Sequence, residues 1–378
     1  MKRLGVFVFC LAVFSSAVPA RADLAGYLDI IEYDKVIADP VFSTLTGAGQ
    51  TIVVIDTGVD RDHVSLGIPF VTSRVITGQN FVTSADPPRT PPSPNYVDGQ
   101  GHGTFVASVA AGRLVEVETT SGSRFDVSGI APGANVISLR VLDNSGSGSF
   151  ASILSALQWV SANVSTYNIS ALNMSLGTTS TFVDPDELIN NSTLAASFSA
   201  ELQGLLDMGV FVVAASGNSG DQSGLSFPAI LNEAVSVGAT DLSDNVASFT
   251  NRNNFLDLLA PGVGIWGADA ALTPGDLDEF SYRTGSGTSF AAPQVAGAAV
   301  LLREYADRLG IDLTPAQILE ALQNGGQEIV DGANTFKRLD VYGALVQVPE
   351  PGMLALCLAL LPALAAVGWR HAQRRRSV

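Results

Sequence analysis

The sequence predicts an α/β fold, a doubly wound parallel sheet with helices on both faces. Three observations carry that reading. Short apolar runs bounded by turn residues recur at 51–55, 135–141, 169–176, 209–215 and 234–239. Runs of this length without polar alternation suit strands covered on both sides. Helical patterns fall between them, at 102–111, 149–164, 187–207, 289–309 and 314–322, and strands alternating with helices build parallel sheets. The middle of the chain contains no cysteine, because Cys10 and Cys357 both lie in apolar terminal stretches. A disulfide scaffold, a thiol nucleophile and a cysteine-based zinc site are therefore excluded there.

Taken in order, residues 1–22 read as a signal peptide: Lys2 and Arg3 form the charged start, an apolar run follows, and Ala20-Arg21-Ala22 supplies the cleavage pattern. Residues 23–347 read as one globular domain. The first apolar run ends at Asp56. The 102–111 helix opens on a Gly-flanked turn, and Thr314 before Pro315 is a helix start signal. The Pro-rich stretch at 86–94 cannot pair as a strand, and the segments at 178–186 and 268–278 are connections. Residues 348–378 form a tail. It has a Pro349-Glu350-Pro351 triplet, an apolar run at 353–369 just long enough to span a bilayer as a helix, and a cluster of arginines at Arg370 and Arg374 to Arg376. Arginines there stay cytoplasmic, which places the body of the protein outside. The three-part tail resembles the PEP-CTERM sorting signal of Gram-negative bacteria. That resemblance implies an exosortase-type partner, transient contact with the inner membrane, and a destination at the cell surface or in the extracellular matrix. A permanent single-span anchor is the alternative.

The chain of 378 residues carries a formal net charge of −16. Seven of its 20 Lys and Arg lie at the termini but only one of its 36 Asp and Glu, Glu350, so the middle is more acidic still. This excludes a nucleic-acid partner, which requires clustered cations, and keeps an exported domain soluble.

Histidine is scarce: of His63, His102 and His371, only the first two can serve the globular part. An imidazole is the usual general base for a serine nucleophile near neutral pH. His102 lies in DGQGHGTFVAS at 98–108, whose glycines let the backbone turn tightly at a helix start. Asp56 lies in DTGVD at 56–60, at the strand end where open α/β sheets place their ligands. Ser289 lies in TGSGTSFAAPQVAG at 284–297, where a helix begins at the serine and Pro293 falls in its first turn. A helix start offers free N–H groups and positive partial charge to a developing oxyanion. Asn218, in ASGNSG after the 209–215 run, presents a side-chain amide suited to the same task. Taken singly, each has a plainer reading: a helix-cap histidine, a turn-capping aspartate, an N-cap serine and a turn asparagine. Together they place four reactive groups at strand ends and helix starts.

In the order Asp, His, Asn, Ser, these segments resemble the motifs of subtilisin-like (subtilase) serine peptidases, over roughly residues 51–299. The order differs from those of α/β-hydrolases and chymotrypsin-like enzymes. The resemblance implies an endopeptidase that hydrolyses protein or peptide substrates. Its triad is Asp56, His102 and Ser289, its oxyanion donor is Asn218, and its substrate-binding segments are Ser175, Leu176 and Gly177 with Ser216 and Gly217 opposite. Catalysis then needs no cofactor or metal. Structural calcium is not legible in the sequence, with Asp60, Asp62, Asp98 and Asp126 as bare candidates. Three features depart from the family pattern: Phe105 stands where many members carry a second histidine, only residues 23–50 precede the first strand where secreted members carry a long prodomain, and Ser219 rather than an acid follows Asn218. A non-catalytic surface or matrix protein on the same fold is an alternative, against which the intact set of four residues speaks. An acyl-transfer ligase is another, separable by its products.

Overall fold

The computed structural model describes residues 24–68, 71–82, 95–270 and 280–349. The expected signal peptide at 1–22, the Pro-rich stretch at 86–94 and the expected tail span at 353–369 lie outside the described residues.

The strands that frame the molecule are β1 (Thr51–Asp56), β2 (Val75–Asn80), β3 (Asn135–Arg140), β4 (Ile169–Met174), β5 (Phe211–Ala215), β6 (Val235–Thr240), β7 (Leu258–Pro261), β8 (Ile265–Ala268), β9 (Tyr282–Gly285), β10 (Gln327–Asp331) and β11 (Asn334–Arg338). All but β8 and β9 form one nine-stranded sheet in the order β10-β11-β7-β6-β5-β4-β1-β3-β2. Every pairing in it is parallel except the hairpin β10–β11. From β1 the chain crosses to the edge strand β2 and comes back to lay β3 between them, then places β4 to β7 on the other side. The reversal puts a crevice at the C-terminal end of β1, between its neighbours β3 and β4, where doubly wound sheets bind ligands.

The helices are α1 (Gly26–Ile30), α2 (Tyr33–Ala38), α3 (His102–Ala111), α4 (Phe150–Tyr167), α5 (Pro185–Asn191), α6 (Thr193–Asp207), α7 (Thr288–Leu309), α8 (Pro315–Gly325) and α9 (Val341–Val346). Side chains alternate across β1. Ile52 and Val54 join a core with α3 and α7, whereas Val53 and Ile55 join a second core with α4 and α6. A strand covered on both faces has no polar side to show, which is why these strands read as continuous apolar runs.

Three expectations change in detail. The single helix expected at 187–207 breaks at Ser192, whose hydroxyl accepts from the Ala195 N–H at 3.2 Å and so caps α6. Strands β2, β7, β10 and β11 carried no clean apolar run. β2 is a half-exposed edge with Gly78 inside it, and β7 is four residues ending in Pro261. Finally, α7 begins at Thr288, so Pro293 is its sixth residue rather than part of an orphan first turn. A proline there removes the N–H that would bond to the carbonyl of Ser289.

Candidate active site

Asp56 is the last residue of β1 and is fully buried. One of its oxygens accepts the Thr57 N–H at 2.7 Å. Nδ1 of His102, the first residue of α3, lies 2.9 and 3.0 Å from the two Asp56 oxygens. A carboxylate accepts only, so Nδ1 carries the proton and Nε2 presents its lone pair to the cleft. The approach is close because residue 103 is glycine: a Cβ there would sit 2.1 Å from the Gly58 carbonyl oxygen. Burial lowers the affinity of His102 for a proton. The buried Asp56 charge and its hydrogen bond outweigh that, Asp98 adds to them and Arg283 opposes them, so the pKa lies above the ordinary histidine value.

Asp98 ties the two loops together. It is fully buried, with one oxygen accepting from Thr57 Oγ1 and the N–H groups of Gln100 and Gly101. The other accepts from the N–H and hydroxyl of Thr104. One carboxylate thus holds the residue after Asp56 and both flanks of His102. With five protein donors it is a positioning group rather than the calcium ligand considered from sequence. No group of three or more His, Cys, Asp or Glu is placed to hold a metal ion among the described residues.

Ser289 is the second residue of α7. Its Oγ donates to the Ser175 carbonyl at 3.3 Å, and Ser175 Oγ donates back to the Ser289 carbonyl at 2.7 Å. That carbonyl is the one left without a helical partner by Pro293. Ser175 Oγ in turn accepts from Asn173 Nδ2 at 2.9 Å. The Phe290 ring, next in sequence to Ser289, lies 5.5 Å from the His102 ring, centroid to centroid, and Ser175, on whose carbonyl the Ser289 hydroxyl rests, lines one cleft with His102. The serine hydroxyl rests on Ser175 in this conformation. Serine–base hydrogen bonds are commonly loose before substrate arrives.

Asn218 is exposed on the loop after β5. Its Oδ1 accepts from the Thr288 N–H at 2.9 Å and from the Thr288 hydroxyl at 3.0 Å. With its oxygen anchored by two donors, the amide has a fixed sense and its NH2 is left for another acceptor. Ser175, Leu176 and Gly177 line a cleft of about 540 Å³ together with His102, Leu142, Phe150 and Ile153. Ser216 is buried and Gly217 half-buried beside Asn218. Gly217 takes φ of +107°, and a Cβ on it would meet Ser226 Oγ at 2.1 Å.

The same segments have relatives in known proteins. The subtilase family profile matches residues 47–343. The chain belongs to the subtilase family. It is 36% identical to Subtilisin Savinase of Lederbergia lenta over 260 residues, covering 69% of this chain and 78% of that protein. It is 36% identical to Alkaline elastase YaB of Bacillus sp. (strain YaB) over 259 residues, 68% of this chain, but spans only 55% of that protein. The crystal structure of a cold adapted subtilisin-like serine proteinase aligns with a TM-score of 0.58 at 32% identity, over 78% of this chain and 90% of the other.

Phe105, the departure noted in the sequence, is fully buried. Its ring centroid lies 4.2 Å from that of Phe290. It lies beneath the β8–β9 hairpin, where Gly267 and Gly285 make room: a Cβ on Gly267 would come within 2.6 Å of the Phe105 ring, and one on Gly285 within 2.5 Å of the Phe290 ring. The Arg283 guanidinium sits 4.9 Å from the Phe105 ring centroid. The supporting residues Thr57, Asn173 and Thr288 are not candidates in the sequence, and Asp98 is one only for calcium. Each lies within a motif or beside a candidate residue, so adjacency was the available signal.

Proposed function

We propose that this subtilase is an exported serine endopeptidase that hydrolyses peptide bonds in proteins through an acyl-enzyme on Ser289. The observation that supports it most is the Asp56–His102 pair at 2.9 Å, with His102 on the same cleft as Ser175, whose carbonyl accepts from Ser289 Oγ. Substrate lies extended between residues 175–177 and 216–217 as an added strand. Ser289 Oγ attacks the scissile carbonyl carbon, and His102 Nε2 takes its proton. Asp56 keeps Nδ1 protonated and balances the imidazolium charge. The carbonyl oxygen, now an anion, is held by Asn218 Nδ2 and the Ser289 N–H. His102 returns the proton to the leaving amine. A water then gives a proton to His102 as its oxygen bonds to the acyl carbon; the carbon–Oγ bond breaks, His102 returns the proton to Ser289 Oγ, and the acid leaves. Main-chain pairing accounts for acceptance of many substrate sequences, and proteins and peptides are accordingly the substrate class.

The experiment is fluorophosphonate labelling of the purified 23–348 chain, with peptide mapping and a casein digestion assay. Label at Ser289 with casein cleavage, both lost in Ser289→Ala, is the expected result. A folded protein that neither labels nor cleaves would favour the non-catalytic surface protein. We also infer that residues 1–22 direct export and that the 348–378 tail is a PEP-CTERM-type signal cut by an exosortase-type enzyme. Both rest on the sequence pattern. Mass spectrometry of the native protein should find a C-terminus upstream of Met353. Retention of Arg374 to Arg376 would refute cleavage and leave the permanent anchor.

A further inference from the structure

Asn251 lies outside every motif read from the sequence, yet it is fully buried and touches both sides of the loop that carries Asn218. Its Oδ1 accepts the Ser219 N–H at 2.9 Å and the Asp221 N–H at 3.1 Å. Its own N–H donates to the Gly217 carbonyl at 3.0 Å. Its Nδ2 donates to Ser226 Oγ at 3.2 Å, and Ser226 Oγ donates on to the Thr178 carbonyl at 2.8 Å. The flanking residues Gly217 and Ser219 are therefore both bonded to Asn251, while Asn218 between them is exposed and, among the described residues, its side chain is held through Oδ1 by Thr288. Gly217 closes directly over Asn251, since a Cβ there would lie 2.2 Å from Nδ2.

We propose that Asn251 is the positioning residue of the oxyanion arm: it fixes the backbone on either side of Asn218, so that Nδ2 of Asn218 stands where the carbonyl oxygen gains charge. This rests on the oxyanion reading of Asn218. The physical reason is the narrow tolerance of such donors, whose benefit depends on being held in place before charge develops. Thr288 fixes which way the amide faces. Asn251 fixes where the loop stands. A single side chain reaches both amides because its carbonyl oxygen has two lone pairs.

The test is a double-mutant cycle on kcat with Asn251→Ala and Asn218→Ala in the full chain. Asn218→Ala alone should lower kcat by about 100-fold or more. Asn251→Ala should lower it by about 10-fold in the parent and by less than about twofold once Asn218 is already alanine, because the arm then has no donor left to misplace. Asn251→Asp, which keeps both acceptor contacts, should hold kcat within about threefold of the parent. Equal losses in both backgrounds, or no loss in the parent, would overturn the proposal while leaving the role of Asn218 intact. An Asn218→Ala chain with undiminished kcat would instead overturn the oxyanion reading, and the proposal with it. If Asn251→Ala does not fold, Asn251→Ser, too short to span both amides, goes through the same cycle: a loss confined to the parent supports the proposal, and equal losses or none overturn it.

Discussion

Replacing Ser175 with alanine tests how the backbone of Ser289, the proposed nucleophile, is held. Pro293 has no N–H, so the Ser289 carbonyl takes its hydrogen bond from Ser175 Oγ, at 2.7 Å, instead of from its own helix. Ser175→Ala strands that carbonyl, and it also strands Asn173 Nδ2, which now donates to Ser175 Oγ at 2.9 Å. Asn173 Oδ1 is already without a hydrogen-bond partner, so its whole amide would be left buried and unpaired. Each stranded buried group costs about 1–3 kcal/mol. Partial relaxation brings the sum to about 3 kcal/mol, or a fall in Tm of about 6 °C for a domain of this size. Thermal unfolding should be measured in the Ser289→Ala background, where self-digestion cannot intrude, and kcat in the active chain, where a loss of about 10-fold is expected. The decisive variant adds Pro293→Ala, which restores an N–H four residues after Ser289. In the Ser175→Ala background it should recover about 1 kcal/mol, whereas in the parent, with the carbonyl already satisfied, it should change little. An unchanged Tm in Ser175→Ala would refute the reasoning, as would a Pro293→Ala effect equal in both backgrounds.

The remaining predictions concern the base and its surroundings. The raised pKa of His102 means that the proposed activity, which needs neutral imidazole, falls as pH drops through a value higher than that of an ordinary histidine. Asp98→Asn removes a negative charge, so His102 should lose its proton more readily and the acid limb of the kcat/KM profile should move to lower pH. An unmoved limb would mean that Asp98 acts only through its hydrogen bonds. Arg283→Gln removes an opposing positive charge and should move the same limb to higher pH, as read from the same profile. Gly285→Ala puts a Cβ 2.5 Å from the Phe290 ring, which is itself 5.5 Å from the His102 ring. Displacing that ring should lower kcat by about 10-fold with a loss of about 1–3 kcal/mol in stability, checked by steady-state kinetics and thermal unfolding. Parent-like values in both would show that the hairpin yields.

The sequence by itself determined the five central strands of the sheet and where the candidate residues sit relative to them. Apolar runs such as IVVI before Asp56 and FVVAA before Ser216 have no polar alternation because both faces of these strands are covered. The motifs that follow them must then fall at strand ends and helix starts. Local rules therefore marked Asp56, His102, Asn218 and Ser289 as candidates, since each is announced by the glycines and turn residues its position requires. Tertiary structure alone decided what holds them. Asp98 binds the 57 and 101–104 segments, Ser175 serves a carbonyl 114 residues away, and Asn251 reaches back 32 residues to Ser219. Phe105 needs glycines at 267 and 285 to make room for its ring. A hydrogen bond or close approach between distant segments leaves no period or spacing in a single sequence, because it depends on how separately formed elements pack.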